Sequence, residues 1–313
     1  NEALRWIRAS ERYEILHDRW ASSVKHDEQQ SRALLAEADV IFCEWCAGQA
    51  IWYSKHKLPH QKLFIRLHRY EAFTPMPREV AAEAVDGIIV VSDYLRDLCA
   101  REFGWPASKM IVLPQYCVAD QFHREKHRGA EWTLGLVGMN GFLKRPDRAV
   151  EILRLARRAD SRFRLRIRSA MPWEIQWLWT KEDEKSRYLS FFESLERDQD
   201  LRASVIFDRP GPNMAEWYRN VGFILSTSEI EGCHTAVAEG ICSGAVPVVI
   251  NWPGAISVYG TDNVYDTVEQ MADAVLRTAD NHLWQHEMAA LQAEATTRFD
   301  IARTVHQLEE WFG

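Results

Sequence analysis

SEIEGCHTAVAEGICSGAVPVVI, residues 228–250, sets two glutamates, Glu231 and Glu239, into a glycine-punctuated and otherwise largely apolar run. Thr235 to Ser243 has helical spacing, Gly244 is a helix stop, and Val246 to Ile250 reads as a buried strand whose Pro247, near its start, costs little. A helix that begins a few residues after Glu231 leaves Glu231 in the preceding loop and puts Glu239 in the second turn. The amides of Gly232, Cys233, His234 and Thr235 then point out of the helix N-terminus and form a ready anion site. Glu239 has Val237, Ala238, Ile241 and Cys242 around it, so it reads as a charge that needs a partner and not as a solvated helix face. Carboxylates on either side of anion-binding amides suit a nucleotide sugar, with phosphates in the middle, ribose on one side and hexose on the other.

Working outward, short apolar strands alternate with helical patterns. Strands are expected at 39–44, 62–68, 87–91 and 110–113, then at 132–137, 163–168, 205–207, 222–226 and 246–250, with Tyr13 to Leu16 as one further candidate. Helices are expected at 29–38, 48–56, 78–85, 94–103, 146–158, 180–200, 213–219, 267–293 and 301–312. Continuous apolar strands between helices imply parallel sheets covered on both faces. The polar stretch 119–131 reads as a linker, after which the pattern restarts. The expected fold is α/β, with two Rossmann-like doubly wound domains facing a central cleft. Residues 1–125 form the first, 130–298 the second, and the helix at 299–313 packs back on the first. Ligands of this class bind beyond the carboxyl ends of the strands, with phosphates at helix N-termini.

Composition narrows the function classes. The 313 residues carry a net charge of −7, which disfavours nucleic-acid binding by bulk electrostatics. No stretch approaches the ~18 apolar residues of a membrane span, and no signal peptide is apparent. Six scattered cysteines read as reduced thiols of a cytoplasmic protein, and Cys43-Glu-Trp-Cys46 as two buried small residues, since no second pair completes a zinc site. Asp198-Gln-Asp200 lies in a charged helix end and reads as solvated surface, so no metal is expected. Trp173 and Trp177 are four apart and read as one face of a core helix, with contact to a membrane surface left open.

The opening segment resembles the E-x7-E signature of the family-4 retaining glycosyltransferases, which have the GT-B fold. Glu231, Glu239, Gly232, Gly244, Pro247 and the two valines match. Cys233-His234 replaces a usual Phe-Gly, Gly240 replaces an alanine, and one extra residue lies between Gly244 and Pro247. Leu136-Val-Gly-Met-Asn-Gly-Phe-Leu-Lys-Arg-Pro-Asp147 is similar to the donor-phosphate segment of that family. There Gly138 lets the backbone approach the phosphates and Lys144 neutralises them. Met139 stands where the family has an arginine, and Arg145 is the candidate to supply that charge. Asp86-Gly-Ile-Ile-Val-Val-Ser-Asp-Tyr-Leu-Arg96 and Lys109-Met-Ile-Val-Leu-Pro114 resemble elements of the family's first domain, and His68 sits at a strand end where such enzymes carry a histidine facing the donor sugar.

The resemblance implies transfer of a sugar, with retained anomeric configuration, from a UDP- or GDP-type nucleotide sugar to a glycan, lipid-linked or small-molecule acceptor, without a metal or other cofactor. Glu231 would hold sugar hydroxyls and Glu239 ribose hydroxyls. Lys144, Arg145 and the amides of 232–235 would stabilise the leaving diphosphate. The first domain is short for this architecture, which leaves open a fragment or a reduced acceptor domain. The rival readings are a noncatalytic or partner-dependent nucleotide-sugar-binding module of the same fold, and a sugar-nucleotide epimerase. The expected location is cytoplasmic, with peripheral contact at the inner membrane face left open.

Overall fold

The computed structural model describes residues 2–9, 11–279 and 281–313. The chain forms two compact units, Asn1–Gln115 with Ile301–Gly313, and Tyr116–Asp300. In the first unit α1 (Glu2–Ala9) and α2 (Glu28–Glu37) precede β1 (Val40–Cys43), α3 (Gly48–His56), β2 (Lys62–Leu67), α4 (Arg69–Ala72), β3 (Gly87–Val90), α5 (Asp93–Phe103) and β4 (Met110–Val112). The four strands pair in the order β1-β2-β3-β4, all parallel. Local signals set the boundaries of α5. The Ser92 hydroxyl accepts from the Leu95 amide at 3.4 Å, and Gly104 closes the helix with φ +68°.

The second unit runs β5 (Thr133–Val137), α6 (Pro146–Ala159), β6 (Arg164–Arg168), α7 (Gln176–Trp179), α8 (Glu182–Glu196), α9 (Gln199–Ser204), β7 (Val205–Asp208), α10 (Met214–Tyr218), β8 (Phe223–Ser226), α11 (Thr235–Cys242), β9 (Val246–Ile250), α12 (Ala255–Tyr259), β10 (Val264–Tyr265), α13 (Val268–Thr278) and α14 (Asn281–Phe299). α15 (Ile301–Phe312) then returns to the first unit. The strand order is β10-β9-β8-β5-β6-β7, with every pairing parallel. The chain therefore builds outward from β5 in one direction, then jumps back to lay β8 on β5's other side. β5 and β8 flank the switch point of this sheet, where the loops leaving two neighbouring strands turn to opposite faces and open a crevice. α6 packs with α13 and α11 with α14, as that division requires. β8 and β9 are buried at every residue, the reason they read as unbroken apolar runs.

Several expectations are corrected. Tyr13 to Leu16 forms no strand. Tyr13 instead packs edge-on against Phe312 at 6.0 Å and donates its hydroxyl to the Glu309 carbonyl at 3.4 Å, so α15 takes up this segment. The helix expected at 78–85 is two 3-10 turns, Met76–Glu79 and Ala82–Ala84, separated by Val80, whose backbone is extended, and by Ala81, whose amide donates to Ser54 Oγ at 3.0 Å. The helix expected at 267–293 is two helices, α13 and α14, and residue 280 lies outside the described residues. β10 was not anticipated, two residues being too few to show a period. Trp173 and Trp177 do not form a core face. They are 49% and 56% exposed, because α7 is a single turn and Leu178 takes the buried position.

The polar stretch 119–131 is packed into the second unit. Lys126 is half-buried there and donates to the carbonyls of Val221 (2.7 Å) and Tyr218 (2.9 Å) and to the Ser243 hydroxyl (2.9 Å). Burial without an anion pushes its ammonium down to about 7.

Gly240 has a packing reason. A Cβ there would lie 2.7–2.9 Å from three side-chain atoms of Ile224 on β8. Gly240→Ala should therefore destabilise the protein by about 1–3 kcal/mol, the usual cost of overpacking. Pairing it with Ile224→Val should recover part of that loss. Urea titrations of the single and double variants check both, and an unshifted midpoint in Gly240→Ala would refute the contact.

Candidate functional site

The loops leaving β5 and β8 meet at the switch point and are stitched together. The Glu229 amide donates to the Leu143 carbonyl at 2.8 Å, the Thr227 hydroxyl to the Lys144 carbonyl at 2.8 Å, and Arg148 Nη1 to the Thr227 carbonyl at 3.1 Å. These contacts bring Lys144 Nζ into a hydrogen-bonded ion pair with Glu231 Oε1, 87 residues away in sequence. Ser228 Oγ donates to the same carboxylate oxygen at 2.6 Å, and His234 Nδ1 lies 3.9 Å from it. Gly138 borders the pair: a Cβ there would be 3.7 Å from Lys144 Cε, and its φ of +93° is one that favours glycine.

Glu231 is buried, which by itself would raise its pKa. The charges of His234 and Lys144, and the hydrogen bonds from Lys144 and Ser228, overcome this and hold it at about 2. His234 goes the other way. Burial, reinforced by Lys144, lowers it to about 4, against the opposing effects of Glu231 and the Val137 carbonyl. At neutral pH the group thus sets an ionised carboxylate and a neutral imidazole beside Lys144. Ser226, fully buried, accepts from Trp252 Nε1 at 3.2 Å and sits 2.9 Å from His234 Nδ1. Its hydroxyl proton needs an acceptor, which makes Nδ1 that acceptor. Tyr259 donates to the His234 carbonyl at 2.8 Å and fixes the backbone just before α11.

α11 begins at Thr235 with no side-chain cap, so its first amides have no intrahelical partner, apart from the tight Val237-to-His234 bond of 2.8 Å. Gly232 is buried, while Cys233 and Thr235 are half-buried at this end of the helix. Glu239 lies one turn further on. It finds the partner its apolar surroundings call for in Tyr218, whose hydroxyl reaches Oε2 at 3.3 Å and the Ala236 carbonyl at 2.7 Å. Burial raises its pKa to about 7, with Tyr218 opposing.

Three positions of the donor-phosphate segment stand differently. Arg145 is turned to Asp147 (2.7–3.1 Å) and to Glu229 (3.2 Å), where it braces the start of α6. Met139 is fully buried, and its amide donates to Ser169 Oγ at 2.8 Å, so no charge replaces the resemblance's arginine at that position. The Gly138 amide is engaged by the Arg168 carbonyl at 3.0 Å, so this glycine supplies room and a turn, not a donor.

His68 is in the first unit, after β2. Its Nε2 lies 3.1 Å from the Glu44 carbonyl and its ring 4.4 Å from that of Trp45. Burial and the charge of Arg66 lower its pKa to about 4, so it is neutral at pH 7. Cys43 and Cys46 are buried, and burial pushes Cys43 up to about 12 and Cys46 higher, which makes them unreactive thiols. Asp198 caps α9 by accepting from Leu201 at 3.0 Å, and Asp200 pairs with Arg157 at 2.8 Å. Sequence reasoning missed Ser228, Ser226, Tyr218 and Trp252. Only Ser228 carried a signal, as the first residue of the S-x-x-E match.

No protein-family model and no curated protein sequence matches the chain. Solved structures do match. TarM of S. aureus aligns at TM-score 0.70 and 14% identity over 92% of this chain and 59% of that one. HepE of Anabaena with UDP and glucose aligns at TM-score 0.69 and 15% identity over 90% of this chain and 80% of that one. Sucrose-phosphate synthase of Thermosynechococcus elongatus aligns at TM-score 0.66 and 14% identity over 91% and 76%. The chain thus spans only 59% of the length of TarM. At such identities the likeness is one of fold: two parallel sheets covered by helices, the α/β GT-B fold of these glycosyltransferases.

Proposed function

We propose that the chain is a retaining, metal-independent glycosyltransferase of the family-4 kind, using a UDP- or GDP-type sugar donor. The observation that carries this reading is the Lys144–Glu231 pair, held at the β5/β8 switch point beside the uncapped start of α11 in a GT-B fold. The diphosphate would lie on the first amides of α11 with Lys144 neutralising it. Glu231 would accept hydrogen bonds from hydroxyls of the transferred sugar, and Glu239 from the ribose. In the transfer step the bond from the anomeric carbon to the phosphate oxygen breaks. The acceptor oxygen bonds to that carbon on the same face, and the acceptor's proton passes to the departing phosphate. Lys144 and the helix amides stabilise the charge that develops there. His68, neutral at pH 7, suits a hydrogen-bonding role toward the sugar.

Several structural relatives are solved with such molecules: HepE with UDP-glucose, and a TarM mutant with fondaparinux, alpha-GlcNAc-glycerol and UDP. By analogy the acceptor of this chain is a glycan, lipid-linked or small molecule. A location at the cytoplasmic membrane face belongs to the same proposal, supported by the half-exposed Trp173 and Trp177. No helix among the described residues is long and apolar enough to cross a membrane. One observation favours the second reading, a noncatalytic nucleotide-sugar-binding module. Buried Met139 and engaged Arg145 leave fewer cations for a leaving phosphate than the family pattern has. Turnover of UDP-, GDP- and ADP-sugars with acceptor extracts separates the two. Binding of a donor with no transfer and no hydrolysis would favour the module.

The same site predicts a pH dependence. Ribose hydroxyls donate to a carboxylate, so binding requires Glu239 ionised, and its pKa of about 7 makes this costly in mildly acid solution. Nucleotide affinity should fall as pH drops below about 7, by up to tenfold per unit, with proton release measurable by calorimetry in buffers of different ionisation enthalpy. Glu239→Gln should flatten this slope, and a slope that persists in that variant would clear Glu239 of the role. Stability of the free protein should show the opposite sign. A folded pKa raised from 4.5 to about 7 means that this group's contribution falls as pH rises through that window.

A further inference from the structure

Arg168, the last residue of β6, is only 7% exposed, and among the described residues no carboxylate lies within ion-pair distance of it. The nearby Asp208 is taken by Arg166 (2.7 and 2.8 Å) and by Trp217 Nε1 (2.8 Å). Arg168 has neutral partners instead. Its Nη2 donates to the Gly211 carbonyl at 3.2 Å and to Asn213 Oδ1, while its Nε has no hydrogen-bond partner. A buried guanidinium without an anion is expensive, so what it holds in place matters.

It holds the loop Arg209-Pro-Gly-Pro-Asn213, which is exposed along its whole length. Pro210 and Pro212 restrict the backbone and lack N–H groups. A guanidinium has donors only, so it dictates how the Asn213 amide lies: Oδ1 faces Arg168 and the NH2 group is presented away from it. The loop is linked to both halves of the nucleotide site proposed above through Arg168 and through α10. Arg168 accepts the Gly138 amide at 3.0 Å, and α10, which follows the loop, ends in Tyr218, the partner of Glu239. A nucleotide with its ribose at Glu239 and its phosphates at α11 has its base left to place, and this loop is an exposed surface joined to Glu239's partner by the five-residue helix α10.

Resting on the nucleotide-sugar reading, we propose that the Asn213 amide, oriented by Arg168, selects the nucleobase by its keto group. Uracil O4 and guanine O6 accept the Asn213 NH2, whereas cytosine and adenine carry an amino group at the corresponding position and set donor against donor. Asn213 contacts the base, and Arg168 is a positioning residue.

The test is calorimetric binding of UDP against CDP, and of GDP against ADP, to the whole chain. Wild type should bind the keto member of at least one pair about tenfold more tightly, the scale of one base-edge contact. Asn213→Asp gives Arg168 an ion partner, keeps the loop braced and removes the donor. It should melt no lower than wild type, yet lose that preference and shift toward the amino base. Arg168→Met should weaken the preference without shifting it toward the amino base. Equal binding of keto and amino nucleotides by wild type, or an unchanged ratio in Asn213→Asp, would overturn the inference alone. Failure of wild type to bind any of the four would overturn it together with the proposed function.

Discussion

Lys144→Ala is expected to lower kcat/KM for sugar transfer by about ten- to a hundredfold, the range for loss of one charge-assisted contact to a departing oxyanion. The reasoning starts from the pair itself. Lys144 and Glu231 side chains are 17% and 9% exposed, so solvent screens neither fully. Without the ammonium, Glu231 keeps Ser228 and the distant edge of His234, and its pKa must climb from about 2. Removing one member of a buried pair typically costs about 3 kcal/mol, so a lower melting temperature should accompany the kinetic defect. Activity must therefore be normalised to folded protein, for example by circular dichroism. The diagnostic readout is a kcat that falls in the folded fraction. If folded Lys144→Ala transfers sugar at the wild-type rate, the ammonium has no part in the chemistry.

Glu231→Gln should split binding from transfer. The substitution keeps the shape and leaves an amide oxygen for Ser228 and Lys144, so the fold should persist. It removes the charge that ties up Lys144, so affinity for the bare nucleoside diphosphate should rise by about three- to tenfold. Transfer should fall by about a hundredfold, because the amide accepts hydrogen bonds from sugar hydroxyls less strongly than a carboxylate as positive charge develops on the sugar. It should also lower the His234 pKa further, since Glu231, with the Val137 carbonyl, opposes that lowering now. Calorimetry with the diphosphate and steady-state kinetics with the full donor measure the two effects separately. A parallel loss of both would make Glu231 a structural anchor for the loop.

The strands were legible because a sheet buried on both faces demands apolar runs, and each unbroken run of four or five, such as Phe223–Ser226 or Val246–Ile250, became a strand. The bounds of α11 were legible from local signals too, since Gly232 precedes its start and Gly244 follows its end. Less legible was anything held by distant partners. The exposed tryptophans have the spacing of a buried face, yet a one-turn helix offers that face no depth. Arg145 looked like a spare cation, but Asp147 and Glu229 close on it only once the two loops meet.

Local order alone determined the class of this protein: alternating apolar strands and helices, a glycine-bearing loop before a helix without a side-chain cap, and carboxylates placed on either side of that helix's first turn. These follow from short-range rules of period, capping and turn geometry, which act within a dozen residues. Tertiary structure decided which charges meet. Strand order put β8 beside β5, and so Lys144 on Glu231, Tyr218 under Glu239, and Arg168 beneath an exposed loop with no anion of its own. Pairings across 21 to 87 residues depend on sheet topology, and burial then sets the protonation of each group, raising Glu239 and lowering His234 while Glu231 stays ionised.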